Sequence, residues 1–185
     1  MTQLAQIVAY ADKYLRVAEF VDSTNALNGL QVENSGQVTR IGAAVDASTR
    51  TLREAAARKV DLLLVHHGLF WAGLRPVTGA WRRQLKICFE HNIAVYSAHL
   101  PLDAHRRIGN NTQLAASLGL TKSTPFLEYK GQCIGLSARG SGTRQQLIRK
   151  LEKALGETLE VNHVSVDEGL NGQVSRESKI TEPSR

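Results

Sequence analysis

The sequence predicts an α/β protein in which a largely parallel or mixed sheet is flanked by helices. Short apolar runs alternate along the chain with longer segments that have apolar residues at helical spacing. The chain has 185 residues, 42% of them hydrophobic, which is enough for one domain with a sizeable core. No apolar run approaches the roughly 20 residues that cross a bilayer, so no membrane partner is expected.

Each predicted helix carries an apolar stripe or a terminal signal. Apolar residues recur from Leu4 to Leu15 at helical spacing, and Ser48 can cap the helix that follows it. Gly119 and Gly156 can end two further helices in the left-handed conformation. The predicted helices are 4–15, 49–59, 81–91, 111–118 and 143–155.

The predicted strands are apolar runs between these helices. They cover 41–45, 60–65, 93–97 and 132–138, with a weaker strand at 159–166. Asn28 and Gly29 indicate a tight turn, and Pro101 is expected to end regular structure. Residues 1–166 are predicted to form a single α/β domain. The polar segment 167–185 is expected to be a disordered tail.

Charge and cysteines restrict the class of protein only loosely. The net charge of +6 permits attraction to phosphates, but the basic residues are scattered, which favours a solvated basic face. Cys88 and Cys133 are predicted to be two buried free thiols. The first residues lack the features of a signal peptide, so a cytoplasmic location is expected.

Two adjacent histidines, His66 and His67, follow the predicted strand 60–65. Ligands bind at the carboxyl ends of strands in open α/β sheets, and imidazole is a common metal ligand. Because adjacent strand residues point to opposite faces, the pair is poorly placed to chelate one ion. They could serve two neighbouring ions, or one could be a ligand and the other a structural residue.

The next predicted strand ends in a second polar cluster, with His99 and Asp103 four residues apart. Pro101 between them argues against a helix, although a loop could still bring them together. An aspartate can bridge two metal ions, as two-ion hydrolytic sites require. The isolated His91, His105 and His163 are interpreted as structural residues.

Three motifs, taken together, resemble the Nif-three-like family, whose members carry the name GTP cyclohydrolase one, type two homologue. They are Asn28-Gly29-Leu30-Gln31-Val32-Glu33, the Val-His-His-Gly-Leu-Phe-Trp run from Val65, and His99-Leu-Pro-Leu-Asp-Ala-His105 followed by Ile108-Gly109-Asn110-Asn111. The likeness covers residues 4–161. It implies an α/β fold, a ring-like homo-oligomer, two divalent metal ions and metal-dependent hydrolase activity. Position by position, His66, His67 and Asp103 match family metal ligands, and His99 matches a histidine near the metals.

The chain departs from this resemblance after position 161. The family completes its site with a histidine and a glutamate in a C-terminal Gly-His-His-x-x-x-Glu motif, whereas His163 is the last histidine of this sequence. The interpretation is a C-terminally truncated or frame-shifted product, with a natural short variant as the alternative. Three protein ligands leave two ions under-coordinated, so weak or single-metal occupancy and impaired activity are expected.

The predicted chemistry is hydrolysis by metal-activated water. Arg75 or Arg106 could orient a phosphate-bearing small molecule. The alternative function is a ring that binds nucleic acid, or a metal-regulated scaffold, without catalysis. Histidine and carboxylate ligands suit zinc, iron, manganese or nickel, so the sequence leaves the metal open.

Overall fold

The computed structural model describes residues 2–120 and 122–156. The helices are α1 (Leu4–Leu15), α2 (Thr49–Ala57), α3 (Gly79–Glu90), α4 (Leu100–Asp103), α5 (Asn110–Ser117) and α6 (Arg144–Leu155). The strands are β1 (Thr2–Gln3), β2 (Gly29–Val32), β3 (Gln37–Val38), β4 (Ile41–Asp46), β5 (Leu62–His67), β6 (Ala94–Ser97), β7 (Ser123–Tyr129) and β8 (Gln132–Ala138).

A four-stranded mixed sheet forms the centre of the fold, in the order β2-β6-β5-β4. Strands β4, β5 and β6 run parallel, while β2 pairs antiparallel with β6 at one edge. Strands β1 and β3 form one small antiparallel pair, and β7 and β8 form another. The predicted α/β fold with a mixed sheet is therefore confirmed.

Apolar side chains fill the space on both faces of the central sheet. Leu63 of β5 joins Leu52 of α2 and Trp81 of α3 in one buried cluster. Leu62, its neighbour along the strand, joins Leu4 of α1 in a second cluster on the other face. Consecutive strand side chains point in opposite directions, so one buried strand anchors both helix layers. Packing on both faces holds β5 in place, and His66 and His67 are its last two residues.

The predicted start of α2 is confirmed. Ser48 has extended backbone angles, and its hydroxyl accepts a hydrogen bond from the Thr51 amide at 3.1 Å. Such a cap satisfies one of the free amides of the first turn. The left-handed conformations predicted for Gly119 and Gly156 are also present, with φ of 75° and 73°.

Replacing Ser48 with alanine should lower the free energy of unfolding by about 1 kcal/mol, because the Thr51 amide loses its acceptor. Urea denaturation of Ser48→Ala and Ser48→Asp would measure the effect. The aspartate variant retains an acceptor and should keep wild-type stability. Equal stability of the alanine variant and wild type would contradict the capping role.

Four strands, β1, β2, β3 and β7, were not predicted. A tight turn was predicted at Asn28 and Gly29, but Gly29 begins the edge strand β2. Strand β7 forms a hairpin with β8 through Lys130 and Gly131, whose φ angles of 49° and 79° are typical of a two-residue turn. Pro125 lies within β7, and a proline inside an apolar run argues against a strand.

Two further expectations were wrong. Pro101 lies within the short helix α4, which it can do because a proline in the first turn loses no intrahelical hydrogen bond. Cys133 is exposed on the hairpin, whereas Cys88 is buried as predicted. The weaker strand 159–166, His163 and the tail 167–185 lie outside the described residues. In the described part of the chain, no helix has the length and apolar character needed to cross a membrane.

Candidate metal centre

Three histidine rings meet at one edge of the central sheet. His66 and His67 are the last residues of β5, and His99 follows β6, the neighbouring parallel strand. One ring nitrogen from each histidine lies within 4.8 Å of the others. The ring centroids are 4.6 Å apart for His66 and His67 and 4.9 Å apart for His66 and His99. The sheet topology thus brings His99 to the pair His66 and His67, and these three residues are called the histidine cluster below.

The expectation that His66 and His67 diverge was wrong. Pairing of β5 with β6 stops at Val65, so His66 and His67 extend past the last paired residue on that side. Each ring is held by its own hydrogen bond, although His67 still pairs with Asp46 of β4. The two rings lie close enough to contribute ligands to the same ion.

Every ring of this histidine cluster is held by its Nδ1 atom. The hydrogen bonds join His66 to the Ala98 carbonyl at 3.0 Å, His67 to Asp46 Oδ1 at 2.7 Å and His99 to Asp22 Oδ1 at 3.0 Å. Carbonyl and carboxylate oxygens only accept, so in each ring Nδ1 carries the proton. The neutral ring then presents Nε2 as a lone pair, which is the form that binds a metal.

Asp103 stands at the side of the histidine cluster, at the end of α4. Its Oδ2 lies 3.6 Å from His66 Nε2, and its Oδ1 accepts a hydrogen bond from Asn110 Nδ2 at 2.9 Å. Two ligand atoms on one tetrahedral zinc-like ion lie about 3.3 Å apart, given metal–ligand distances of about 2.0–2.1 Å. The separation between Asp103 and His66 therefore suits a shared ion.

Burial favours the neutral form of His66. Desolvation, together with the nearby His67 and His99, lowers the pKa of His66 and outweighs the raising effects of Asp103 and the Ala98 carbonyl. A histidine that stays neutral near pH 7 needs no deprotonation before it binds a cation.

The Asp22 carboxylate below His99 behaves differently. Burial by itself would raise its pKa, but hydrogen bonds from Asn28, His99, Leu100 and Ser23 together lower the pKa below its usual value. Asp22 is therefore a charged acceptor at neutral pH, and its negative charge lies next to Nδ1 of the His99 ring.

Asn28 ties the Asp22 loop to the His99 loop. Its Oδ1 accepts from the His99 amide at 2.7 Å, and its Nδ2 donates to Asp22 Oδ2 at 2.8 Å. One amide side chain thus fixes both the backbone of His99 and the carboxylate that holds the ring.

Gln31 performs the corresponding task for the loop after His67. Its Oε1 accepts from the Leu69 amide at 2.7 Å, and its Nε2 donates to the Leu27 carbonyl at 2.9 Å. Gly68 leaves the room for this contact, because a Cβ atom there would lie 2.3 Å from the Gln31 amide. This segment was predicted to be a turn and part of a family motif, and no sequence pattern indicates its role in positioning the site.

Other predicted residues lie apart from the histidine cluster. The Arg75 guanidinium stacks on the Trp81 ring at 4.9 Å, and the His105 ring packs against Tyr14. His91 is exposed at the end of α3, and Arg106 is exposed after α4. A phosphate-orienting role for Arg75 or Arg106 therefore stays a prediction.

Trp71 closes one side of the histidine cluster. Its indole makes edge contacts with His99 and His67, at centroid distances of 4.7 and 5.7 Å. The donor set beside it, three imidazole nitrogens with a carboxylate at one side, fits a divalent zinc, iron, manganese or nickel ion. An apolar wall of this kind reduces access of water to the ligands.

Comparisons with known proteins find a matching family and several similar proteins. Residues 2–178 match the Duf34/NIF3 (NGG1p interacting factor 3) family. The chain is 43% identical over 136 residues to the "GTP cyclohydrolase 1 type 2 homolog" of Archaeoglobus fulgidus, covering 74% of this chain and 55% of the relative. It is 38% identical over 155 residues to the protein of the same name from Deinococcus radiodurans, covering 82% and 58%.

The fold is similar to that of TTHA1606 from Thermus thermophilus, a crystal structure, with a TM-score of 0.77 and 39% identity. The similarity covers 85% of this chain and 63% of that one. The chain thus spans little more than half the length of the curated relatives it matches. On the family match and these identities, the chain belongs to the Duf34/NIF3 family.

Proposed function

We propose that this chain binds a divalent metal ion through His66, His67 and His99, with Asp103 beside it, as part of a metal-dependent hydrolase site. The observation that carries the proposal is the meeting of the three rings, with one nitrogen of each within 4.8 Å of the others. Each Nδ1 faces an oxygen acceptor, which leaves Nε2 of each ring as the unprotonated nitrogen.

The described ligands favour one ion. The histidine cluster supplies three nitrogens, and a four-coordinate ion held by them keeps one position for water, with the Asp103 carboxylate beside it. The two-ion site implied by the family resemblance needs additional ligands. We therefore propose single-ion occupancy for this chain and two ions for the complete family site.

A divalent ion bound there would acidify a water molecule and polarise a substrate oxygen. The protein's part is to hold the ligands and to shape the opening. Trp71 shields the histidine cluster on one side, whereas the His67 ring and the Asp46 carboxylate stand at its more exposed rim. A substrate would enter on the His67 side.

The substrate class follows from charge and from the names of relatives. The net charge of +6 favours an anionic, phosphate-bearing small molecule. Two relatives are called GTP cyclohydrolase 1 type 2 homolog, so a purine nucleotide is the first compound to test. A ring-like homo-oligomer is likewise part of the proposal.

Metal titration tests this function. Chelator-treated protein should bind one Zn²⁺ or Mn²⁺ per chain in isothermal titration calorimetry, with the bound metal measured independently by elemental analysis. Alanine at His66, His67 or His99 should weaken binding about 100-fold or abolish it, because each substitution removes one of a few ligands. His91→Ala, at an exposed histidine outside the cluster, is the matched control.

Two results would overturn the proposal. Wild-type protein that binds no divalent ion would exclude a metal centre in this chain. Wild-type affinity in all three histidine variants would place the ion elsewhere. Chelator-insensitive, salt-sensitive binding to random DNA, without metal binding, would instead favour the nucleic-acid alternative.

A further inference from the structure

The Asp22 carboxylate is buried next to Nδ1 of the His99 ring, with its side chain 6% exposed. It accepts four hydrogen bonds from residues close to the site. The donors are the Ser23 amide at 2.6 Å, Asn28 Nδ2 at 2.8 Å, the Leu100 amide at 3.0 Å and His99 Nδ1 at 3.0 Å. The carboxylate is held from several directions, so it can in turn hold the ring.

A second carboxylate–histidine pair occurs on the open side of the histidine cluster. Asp46 ends β4 directly opposite His67 in the parallel ladder, and its Oδ1 lies 2.7 Å from His67 Nδ1. This pair is more exposed, with side-chain exposures of 61% for Asp46 and 39% for His67. Water competes for the hydrogen bond between Asp46 and His67, so Asp46 fixes the His67 ring less firmly than Asp22 fixes the His99 ring.

We propose that Asp22 is a positioning residue that makes His99 a metal ligand, and that Asp46 does the same, less strongly, for His67. This inference rests on the proposed metal-binding function and extends it to residues outside the ligand set. A carboxylate that accepts from Nδ1–H fixes both the protonated nitrogen and the plane of the ring. It also increases the electron donation of Nε2 to a metal.

The substitution Asp22→Asn tests this role because it removes the charge and one of the two oxygens that hold His99. Asn28 and Leu100 donate to Oδ2, Ser23 donates to Oδ1, and His99 Nδ1 lies 3.0 Å from Oδ1 and 3.1 Å from Oδ2. An amide that keeps its oxygen toward Asn28 and Leu100 places its NH₂ group beside the Ser23 amide and the His99 ring. An N–H in that place favours the ring form that accepts on Nδ1 and carries its proton on Nε2, the nitrogen through which the ring would bind a metal.

The His66 ring provides an internal comparison. Its Nδ1 donates to the Ala98 carbonyl, a backbone acceptor that these substitutions leave in place. The His66 protonation pattern should therefore be unchanged in Asp22→Asn and in Asp46→Asn, whereas the pattern of His99 changes in the first variant and that of His67 in the second.

Two measurements on the full chain test the proposal. Long-range ¹H–¹⁵N NMR of chelator-treated protein reports which nitrogen of each ring is protonated, and competition titration with Zn²⁺ reports affinity. Asp22→Asn should move the His99 proton from Nδ1 to Nε2 and weaken Zn²⁺ binding about 10- to 100-fold. Asp46→Asn should weaken Zn²⁺ binding measurably but less than about 10-fold, since that pair is exposed.

Asp61→Asn is the matched control. Asp61 also accepts three hydrogen bonds, from the Thr39 amide and hydroxyl and the Arg40 amide, but it precedes β5 at the end of the strand away from the histidines. Removing its charge should leave Zn²⁺ affinity and all three ring protonation patterns unchanged.

The outcomes separate this inference from the proposed function. If wild-type protein binds no Zn²⁺, the proposed function fails, and the NMR of metal-free protein still decides the positioning role. If wild-type protein binds Zn²⁺ and Asp22→Asn keeps both its affinity and its His99 pattern, the positioning role is overturned and metal binding stands. Should Asp22→Asn not fold, Asp46→Asn decides, and unchanged affinity there refutes the proposal.

Discussion

Gly109→Ala should lower the free energy of unfolding by about 3 kcal/mol or more and weaken metal binding as well. A Cβ atom at position 109 would lie 2.4 Å from the His105 carbonyl oxygen and 2.5 Å from that of Leu102. A third carbonyl oxygen, that of Asp103, would be 2.9 Å away. All three obstacles are backbone atoms, so a rotated side chain cannot relieve them.

The need for glycine here is steric, because φ at this position is −63° and any residue can adopt it. Gly109 precedes α5 and packs against the turn that carries Asp103. Making room for a methyl group must shift α4, α5 or both. Asp103 would then move relative to His66, whose Nε2 now lies 3.6 Å from the carboxylate.

Chemical denaturation and Zn²⁺ titration of Gly109→Ala check both parts of this prediction. Gly140→Ala is the matched control, since its Cβ would make only an ordinary 3.5 Å contact with Leu120. That variant should be neutral or slightly stabilised, because alanine restricts the unfolded chain. A Gly109 variant as stable as the Gly140 variant would show that α4 and α5 adapt without cost.

Local pattern was sufficient to predict the framework of the site. The apolar run before His66 predicted a buried strand, and the helical stripe from Leu4 predicted α1 with its observed bounds. Parallel strands end at the same sheet edge, so the meeting of His99 with the histidine pair followed from topology. These features depend on residues close together in the sequence.

The hydrogen bonds that position the histidine rings could not be predicted from local sequence pattern. Asp22 and His99 are 77 residues apart, and Asp46 and His67 are 21 apart. No local periodicity marks such pairs, and an isolated aspartate in a polar segment looks like a solvated loop residue. The alternation of strand side chains had placed His66 and His67 on opposite faces, whereas their ring centroids lie 4.6 Å apart, beyond the last residue of β5 that pairs with β6.

Asn28→Asp should destabilise the chain by about 3 kcal/mol at neutral pH and weaken metal binding, although the two side chains have nearly the same shape. Asn28 Nδ2 donates to Asp22 Oδ2 at 2.8 Å, and Asn28 Oδ1 accepts from the His99 amide at 2.7 Å. An aspartate can still accept from His99. Its second oxygen, however, would face the carboxylate of Asp22 without a proton between them.

Two carboxylates at that separation repel each other, and the buried Asp22 cannot turn to water for relief. The least costly response is to separate the two loops, which removes the acceptor that holds the His99 ring. The predicted loss therefore combines a broken hydrogen bond with a displaced metal ligand. Both losses arise from one exchanged atom.

Thermal unfolding and Zn²⁺ titration would measure this variant against Asn92→Asp, which adds the same charge. Asn92 contacts Ser35, whose hydroxyl lies 2.8 Å from Asn92 Nδ2 and can reverse to donate to a carboxylate. The control should stay within about 0.5 kcal/mol of wild type and keep its metal affinity. If Asn28→Asp matched that control, the amide of Asn28 would not be what keeps Asp22 and His99 in register, and the buried carboxylate would have to be held by its backbone donors alone.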